Sequence, residues 1–168
     1  MDACEVVVAQ ARGAKIEAEA IVEAENVDHS LKATQQVQYD WRSGMSNYTG
    51  HYNEQGQKHG LGVQSWHDGQ EFAGTFFNDV PHGGGREAYP NRSWYIGSFK
   101  NGLRHGWGKY QAVNGIIYLG QFQNGVRHGY GIEREESKDI MLWMAFVQYE
   151  NNQMVLLESV SPGSCVYF

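Results

Sequence analysis

Four histidines stand in register along the chain, each followed by glycine: His59-Gly60, His82-Gly83, His105-Gly106 and His128-Gly129, twenty-three residues apart. Histidines at a fixed interval invite a metal centre, since imidazole nitrogen is a common zinc ligand. The interval argues against one. If each repeat holds two strands, equivalent histidines lie ~9.5 Å apart at the usual strand spacing, whereas two nitrogens bound to one zinc stand only ~3–3.5 Å apart. No metal ligand is therefore expected, and the histidines are read as structural, packed in turns beside glycine and aromatic rings.

Other reactive types are no better placed. Ser43, Ser46, Ser65, Ser93 and Ser98 lie outside any nucleophile-elbow context, and the triple glycine at 83–85 lacks the Lys-Ser/Thr that completes a phosphate loop. Glu135 and Glu136 fall in GIEREESKD, a stretch read as a solvated charged turn. The reading is a chain without catalytic residues or a cofactor. Cys4 and Cys165 form no CxxC pair and are read as free thiols of a reducing cell interior. The first residues, MDACEVVVAQARG, lack the basic start of a secretory leader, and no apolar run approaches the ~20 residues of a membrane helix. The expected location is intracellular, nuclear or cytoplasmic.

The elements that hold the histidines follow from the same register. It aligns an aromatic-x-Gly-x-aromatic core: Tyr48, Gly50, Tyr52; Phe72, Gly74, Phe76; Tyr95, Gly97, Phe99; Tyr118, Gly120, Phe122. A second glycine stands two positions after each His-Gly dipeptide, and Asp68-Gly69, Asn101-Gly102, Asn114-Gly115 and Asn124-Gly125 are signals for two-residue hairpin turns, which need positive φ. Each unit thus reads as strand, turn, strand, turn. Residues at i, i+2 and i+4 share one face of a strand, so the rings point one way with the glycine between them, and the glycine is expected to leave room for the ring of a neighbouring repeat.

This unit resembles the MORN repeat (membrane occupation and recognition nexus), whose YxGxF…NGxxHGxG pattern runs here from Tyr48 to about Gly131. The resemblance implies an all-β, elongated antiparallel meander with two strands per ~23-residue repeat. Residues 37–153 are assigned to the array, with clear repeats at about 48–70, 71–93, 94–116 and 117–132 and degenerate units at either end. In the last, WMAFVQYENNQ at 143–153, Ala145 is read as standing in for the glycine. Met141 to Tyr149 is apolar on both faces, and cover for it is expected from Val155, Leu156, Leu157 and Val166-Tyr167-Phe168. Residues 1–36 are acidic and carry AKIEAEAIVEAE, rich in helix-forming Ala and Glu. This segment is expected to be helical or disordered.

Charge narrows the partners. Asp and Glu outnumber Lys and Arg in 1–47 and in 133–168, while residues 48–132 carry five acids against seven bases with no basic run, too weak a footprint for nucleic acid. Aromatics with interspersed arginine suit a protein interface. Trp66, Trp94, Trp107, Tyr110 and Tyr130 are the candidate contact residues, read together with Tyr52 as lying along one long face. The leading reading is a protein-binding scaffold, with association to a second copy through the C-terminal end. The alternative, suggested by the family's name, is a membrane-surface adaptor for anionic phospholipid, which the charge of the array makes weak. The C-terminal segment, 154–168, ends in Pro162, Gly163, Val166, Tyr167 and Phe168, similar to the junction at which MORN arrays pass into SET-domain histone-lysine methyltransferases. That resemblance implies a following domain and a histone or chromatin partner.

Overall fold

The computed structural model describes residues 46–137 and 140–160; the segment 1–36 and the junction-like residues 162–168 lie outside them. Ten strands follow one another: β1 (Ser46–Tyr52), β2 (Lys58–Trp66), β3 (Glu71–Phe77), β4 (Val80–Ala88), β5 (Trp94–Lys100), β6 (Leu103–Gln111), β7 (Ile116–Gln123), β8 (Val126–Ser137), β9 (Ile140–Glu150) and β10 (Gln153–Val160). They form one sheet in chain order with every ladder antiparallel, so the fold is an all-β meander.

Register sets a line of glycines across the sheet. Gly50, Gly62, Gly74, Gly85, Gly97, Gly108, Gly120 and Gly131 pair in succession through eight strands, and Val147 takes the next place. Over this trough lie the rings. Tyr48, Phe72, Tyr95 and Tyr118 are at most 2% exposed, a burial that each achieves by lying flat on glycine. Their neighbours complete an edge-to-face chain running Tyr52, Tyr48, Phe76, Phe72, Phe99, Tyr95, Phe122, Tyr118, Tyr149, with centroid separations of 4.9–5.5 Å. Such contacts are worth ~0.5–1.5 kcal/mol each beyond the area they bury. The ring over a given glycine differs from the expectation. A Cβ on Gly97 or Gly108 would strike Tyr95, and one on Gly120 or Gly131 would strike Tyr118; the ring belongs to the glycine's own repeat, not to the next one.

The His-Gly dipeptides explain how a ring can reach both strands of its own hairpin. Gly74 pairs with Gly85 and Phe76 with Pro81, so Thr75 alone faces His82, Gly83 and Gly84. The same three-against-one bulge sets Ser98 against residues 105–107 and Gln121 against residues 128–130. The glycine of each dipeptide takes positive φ, from 71° at Gly129 to 88° at Gly83, a conformation that disfavours other side chains. His82 and His128 accept, through Nδ1, the backbone N–H of Asn101 and Asn151 in the following hairpin, each at 3.5 Å. The backbone repeats the link: Asp79 N–H donates to the Lys58 carbonyl, Gly102 to Pro81, Gly125 to Arg104 and Asn152 to Arg127, at 2.8–3.0 Å.

Turns alternate in kind. Asn101-Gly102 and Asn124-Gly125 are two-residue turns with both φ positive, and so are Asn78-Asp79 and Asn151-Asn152, which the sequence did not signal. Asp68-Gly69 and Asn114-Gly115 correct the expectation. They sit in four-residue connections where only the glycine has positive φ and the Asp or Asn side chain accepts the N–H two residues on.

The last unit is corrected in two respects. Its register puts Val147, not Ala145, in the glycine line and Ala145 in the ring position, a swap in which a small residue where the ring would lie frees space for a side chain where glycine would be needed. The sheet also continues past residue 153, because Gln153–Val160 forms β10. Leu156 and Leu157 pair with Gln148 and Val147 as a sheet neighbour of β9, and Val155 is 50% exposed, so these residues extend the sheet edge instead of covering a face.

Candidate functional site

The residue before each His-Gly pairs with the second ring of its hairpin: Lys58 with Tyr52, Pro81 with Phe76, Arg104 with Phe99, Arg127 with Phe122. Three of the four are basic, and the register carries their heads onto the ring-bearing face. Arg104 lies over Tyr95 at 4.9 Å, Tyr110 at 5.2 Å and Tyr89 at 5.4 Å. It donates to Glu87 at 2.9–3.0 Å and to the Tyr89 hydroxyl at 2.5 Å. Arg127 lies over Tyr149 at 4.2 Å, donates to Glu133 at 2.6 Å and to Asn152 at 2.9 Å, and Glu133 also accepts the Tyr149 hydroxyl at 2.7 Å. Lys58, in the first unit, donates to Gln64 Oε1 at 3.0 Å.

Between the two guanidinium groups the ring face opens into a groove of about 590 Å³, lined among others by Arg104, Tyr110, Phe122, Arg127, Glu133 and Tyr149. Burial raises the hydroxyl pKa of Tyr149 to about 12, with the hydrogen bond to Glu133 adding to the rise and Arg127 opposing it. Tyr118 is raised further, again chiefly by burial, and Tyr89 is raised by burial and then by Glu87. These phenols stay neutral donors at physiological pH. The groove therefore presents aromatic walls and the two arginine–carboxylate pairs.

The five candidate contact residues divide between the two faces. Trp66 and Tyr110 lie on the ring face, partly buried against its core with Tyr52, and Tyr110 lines the groove. Trp94, Trp107 and Tyr130 are on the opposite face, each adjacent in sequence to a ring-face residue; Trp94 is covered by the Lys109 ammonium at 5.3 Å, and Tyr130 is 44% exposed. The single long face expected for them is thus corrected, because the period of two alternates Trp94 with Tyr95 and Trp107 with Gly108. Arg104, Arg127, Glu133 and Tyr149 escaped the sequence reading. Their signal was the basic residue that precedes three of the four histidines.

The histidines are spread along the short-turn side. Among the described residues no three His, Cys, Asp or Glu side chains gather to hold a metal ion. Fold and site together define a repeat protein of one layer, which packs its own rings along a sheet and keeps a groove open on that face. The MORN repeat pattern matches residues 48–71, 72–94, 95–116 and 118–134, about half of the 168 residues, and the chain belongs to the MORN-repeat family. No curated protein shows a significant match to it.

Proposed function

We propose that the chain is a non-catalytic binding and scaffold module whose protein partner seats in the groove between Arg104 and Arg127. One observation carries this reading. Each guanidinium in the groove already faces a carboxylate, Glu87 or Glu133, so the groove joins apolar walls to locally neutral charge pairs. An extended peptide can exploit rings and polar edges together. A phospholipid headgroup would have to compete with both carboxylates, and its attraction of ~1 kcal/mol per basic residue near an anionic surface is offset here by pairing. The finer assignment, recruitment of histone substrate for a lysine methyltransferase, rests on the likeness at Pro162, Gly163 and Val166-Tyr167-Phe168, and it makes histone tail peptides the first probes.

The test is selection of displayed peptides on the full chain, with histone tail peptides included, followed by titration against Val126→Glu. Val126 lines the groove and is 37% exposed, so a larger, charged side chain there obstructs the groove while both arginine–carboxylate pairs keep their own residues. Affinity is expected to fall about tenfold, a loss of ~1.4 kcal/mol. Peptides indifferent to Val126→Glu would remove the groove from the proposal. Flotation with anionic vesicles that survives high salt would put the membrane adaptor in its place.

A further inference from the structure

The strands neighbour one another in chain order, so β1 and β10 are the two edges of the described sheet. They differ in kind. β1, SNYTGHY, is short and polar, whereas β10, QMVLLESV, has five apolar residues in eight, one charge, Glu158, and neither of the residues most used to block an edge, lysine and proline. A one-residue bulge at Val155 leaves it 50% exposed beside Met154 at 42%, and from Leu156 to Val160 the pairing with β9 is regular. The bulge blunts only the first part of the edge.

We propose that β10 is a self-association surface that pairs with β10 of a second copy, joining two ten-stranded sheets into one. Two copies of one edge related by a two-fold axis meet antiparallel, the geometry of every ladder already in the sheet, and the contact closes after two copies. The competing arrangement, β10 against β1 of the next copy, is head-to-tail and open-ended. Ring packing argues against it. Successive units within the chain are joined by a ring of one set on a ring of the other, as in Phe72–Phe99 and Tyr95–Phe122 at 4.9 Å and Tyr118–Tyr149 at 5.5 Å. In the last unit Ala145 occupies the place of Tyr118, so a following β1 would set Tyr52 against a methyl group and the ring chain would end there.

Sedimentation velocity of the full chain across a concentration series tests this, together with hydrogen exchange of the β10 amides at the two ends of the series. The expected result is a monomer–dimer equilibrium in which β10 exchange slows as concentration rises, and about tenfold weaker association in Val155→Lys, whose exposed position leaves the fold intact by circular dichroism. Asn47→Lys, on β1, should leave the dimer unchanged. A monomer up to ~100 μM, within the range where uncovered edges associate, overturns the proposal. So does open-ended polymerisation, or a dimer whose β10 amides exchange as fast as in the dilute monomer.

Discussion

The ring of Tyr95 lies on Gly108, which stands on the facing strand of the hairpin as the partner of Gly97: a Cβ built on Gly108 would come within 2.6 Å of Tyr95 Cζ, with Cε2 and the hydroxyl oxygen nearer still. The same ring covers Gly97, and its hydroxyl donates to the Ser98 carbonyl at 3.0 Å. One tyrosine thereby fastens both strands of its repeat, and the two glycines are needed for space, since neither takes positive φ.

Gly108→Ala should consequently lose about 1–3 kcal/mol to overpacking, read as a lower urea midpoint at unchanged m-value. Tyr95→Phe keeps the ring and removes the hydroxyl with its bond to Ser98, so it should cost about 1 kcal/mol. If the alanine variant is as stable as the parent, the ring does not rest on the glycine.

The swap in the last unit gives a sharper test. Ala145→Tyr alone restores a ring where Val147 already fills the trough, and should destabilise. Adding Val147→Gly recreates the arrangement of Tyr118 with Gly120. The pair should couple favourably within the ~0.5–3 kcal/mol range seen for residues in contact, measured by a double-mutant cycle in urea. Strict additivity would mean that positions 145 and 147 do not share one packing site.

Why the repeat was legible and the groove was not follows from these positions. A period of twenty-three and the alternation of Tyr95, Gly97 and Phe99 state the strands and their inward face directly. Which ring covers which glycine depends on the bulge at His105-Gly106, because that bulge sets the pairing of Gly97 with Gly108, and nothing local in the sequence counts three residues against one. Ala145 looked like a glycine substitute for the same reason: the register of β9 is fixed by Gly131 on β8. Arg104 and Arg127 were visible as charges, but their convergence with Glu87 and Glu133 on one face is a product of the folded register. Asn78-Asp79 and Asn151-Asn152 turn without glycine, which composition alone does not announce.

Arg92 holds φ at +71° in the connection before β5, where the equivalent connections place Gly69 and Gly115. A non-glycine residue in the left-handed region costs ~1–2 kcal/mol. The Asn91 side chain, which accepts the Ser93 N–H at 3.0 Å, shapes the turn independently of residue 92. Arg92→Gly should therefore raise stability by about 1 kcal/mol, reduced somewhat by the entropy glycine adds to the unfolded chain. A lower melting temperature for Arg92→Gly would show that the arginine side chain contributes more than its backbone costs.

The buried phenols set an alkaline limit. Burial raises Tyr149 to about 12, and raises Tyr48 and Tyr118 as well, with burial the leading cause in each. In the unfolded chain all three release their protons near the ordinary tyrosine value of ~10. Between that value and the folded ones the native state binds more protons, so stability declines with rising pH. Their contribution is complete below ~10 and is lost as pH climbs through ~12 and above. The melting temperature should be level up to about pH 9.5 and drop steeply beyond ~10, with phenolate absorbance appearing together with unfolding. Tyr118→Phe should lessen the drop, having no proton to lose. Smooth phenolate formation near pH ~10 in a sheet that stays folded would mean that these hydroxyls face solvent, and the ring chain from Tyr52 to Tyr149 would then be packed more loosely than its edge-to-face contacts require.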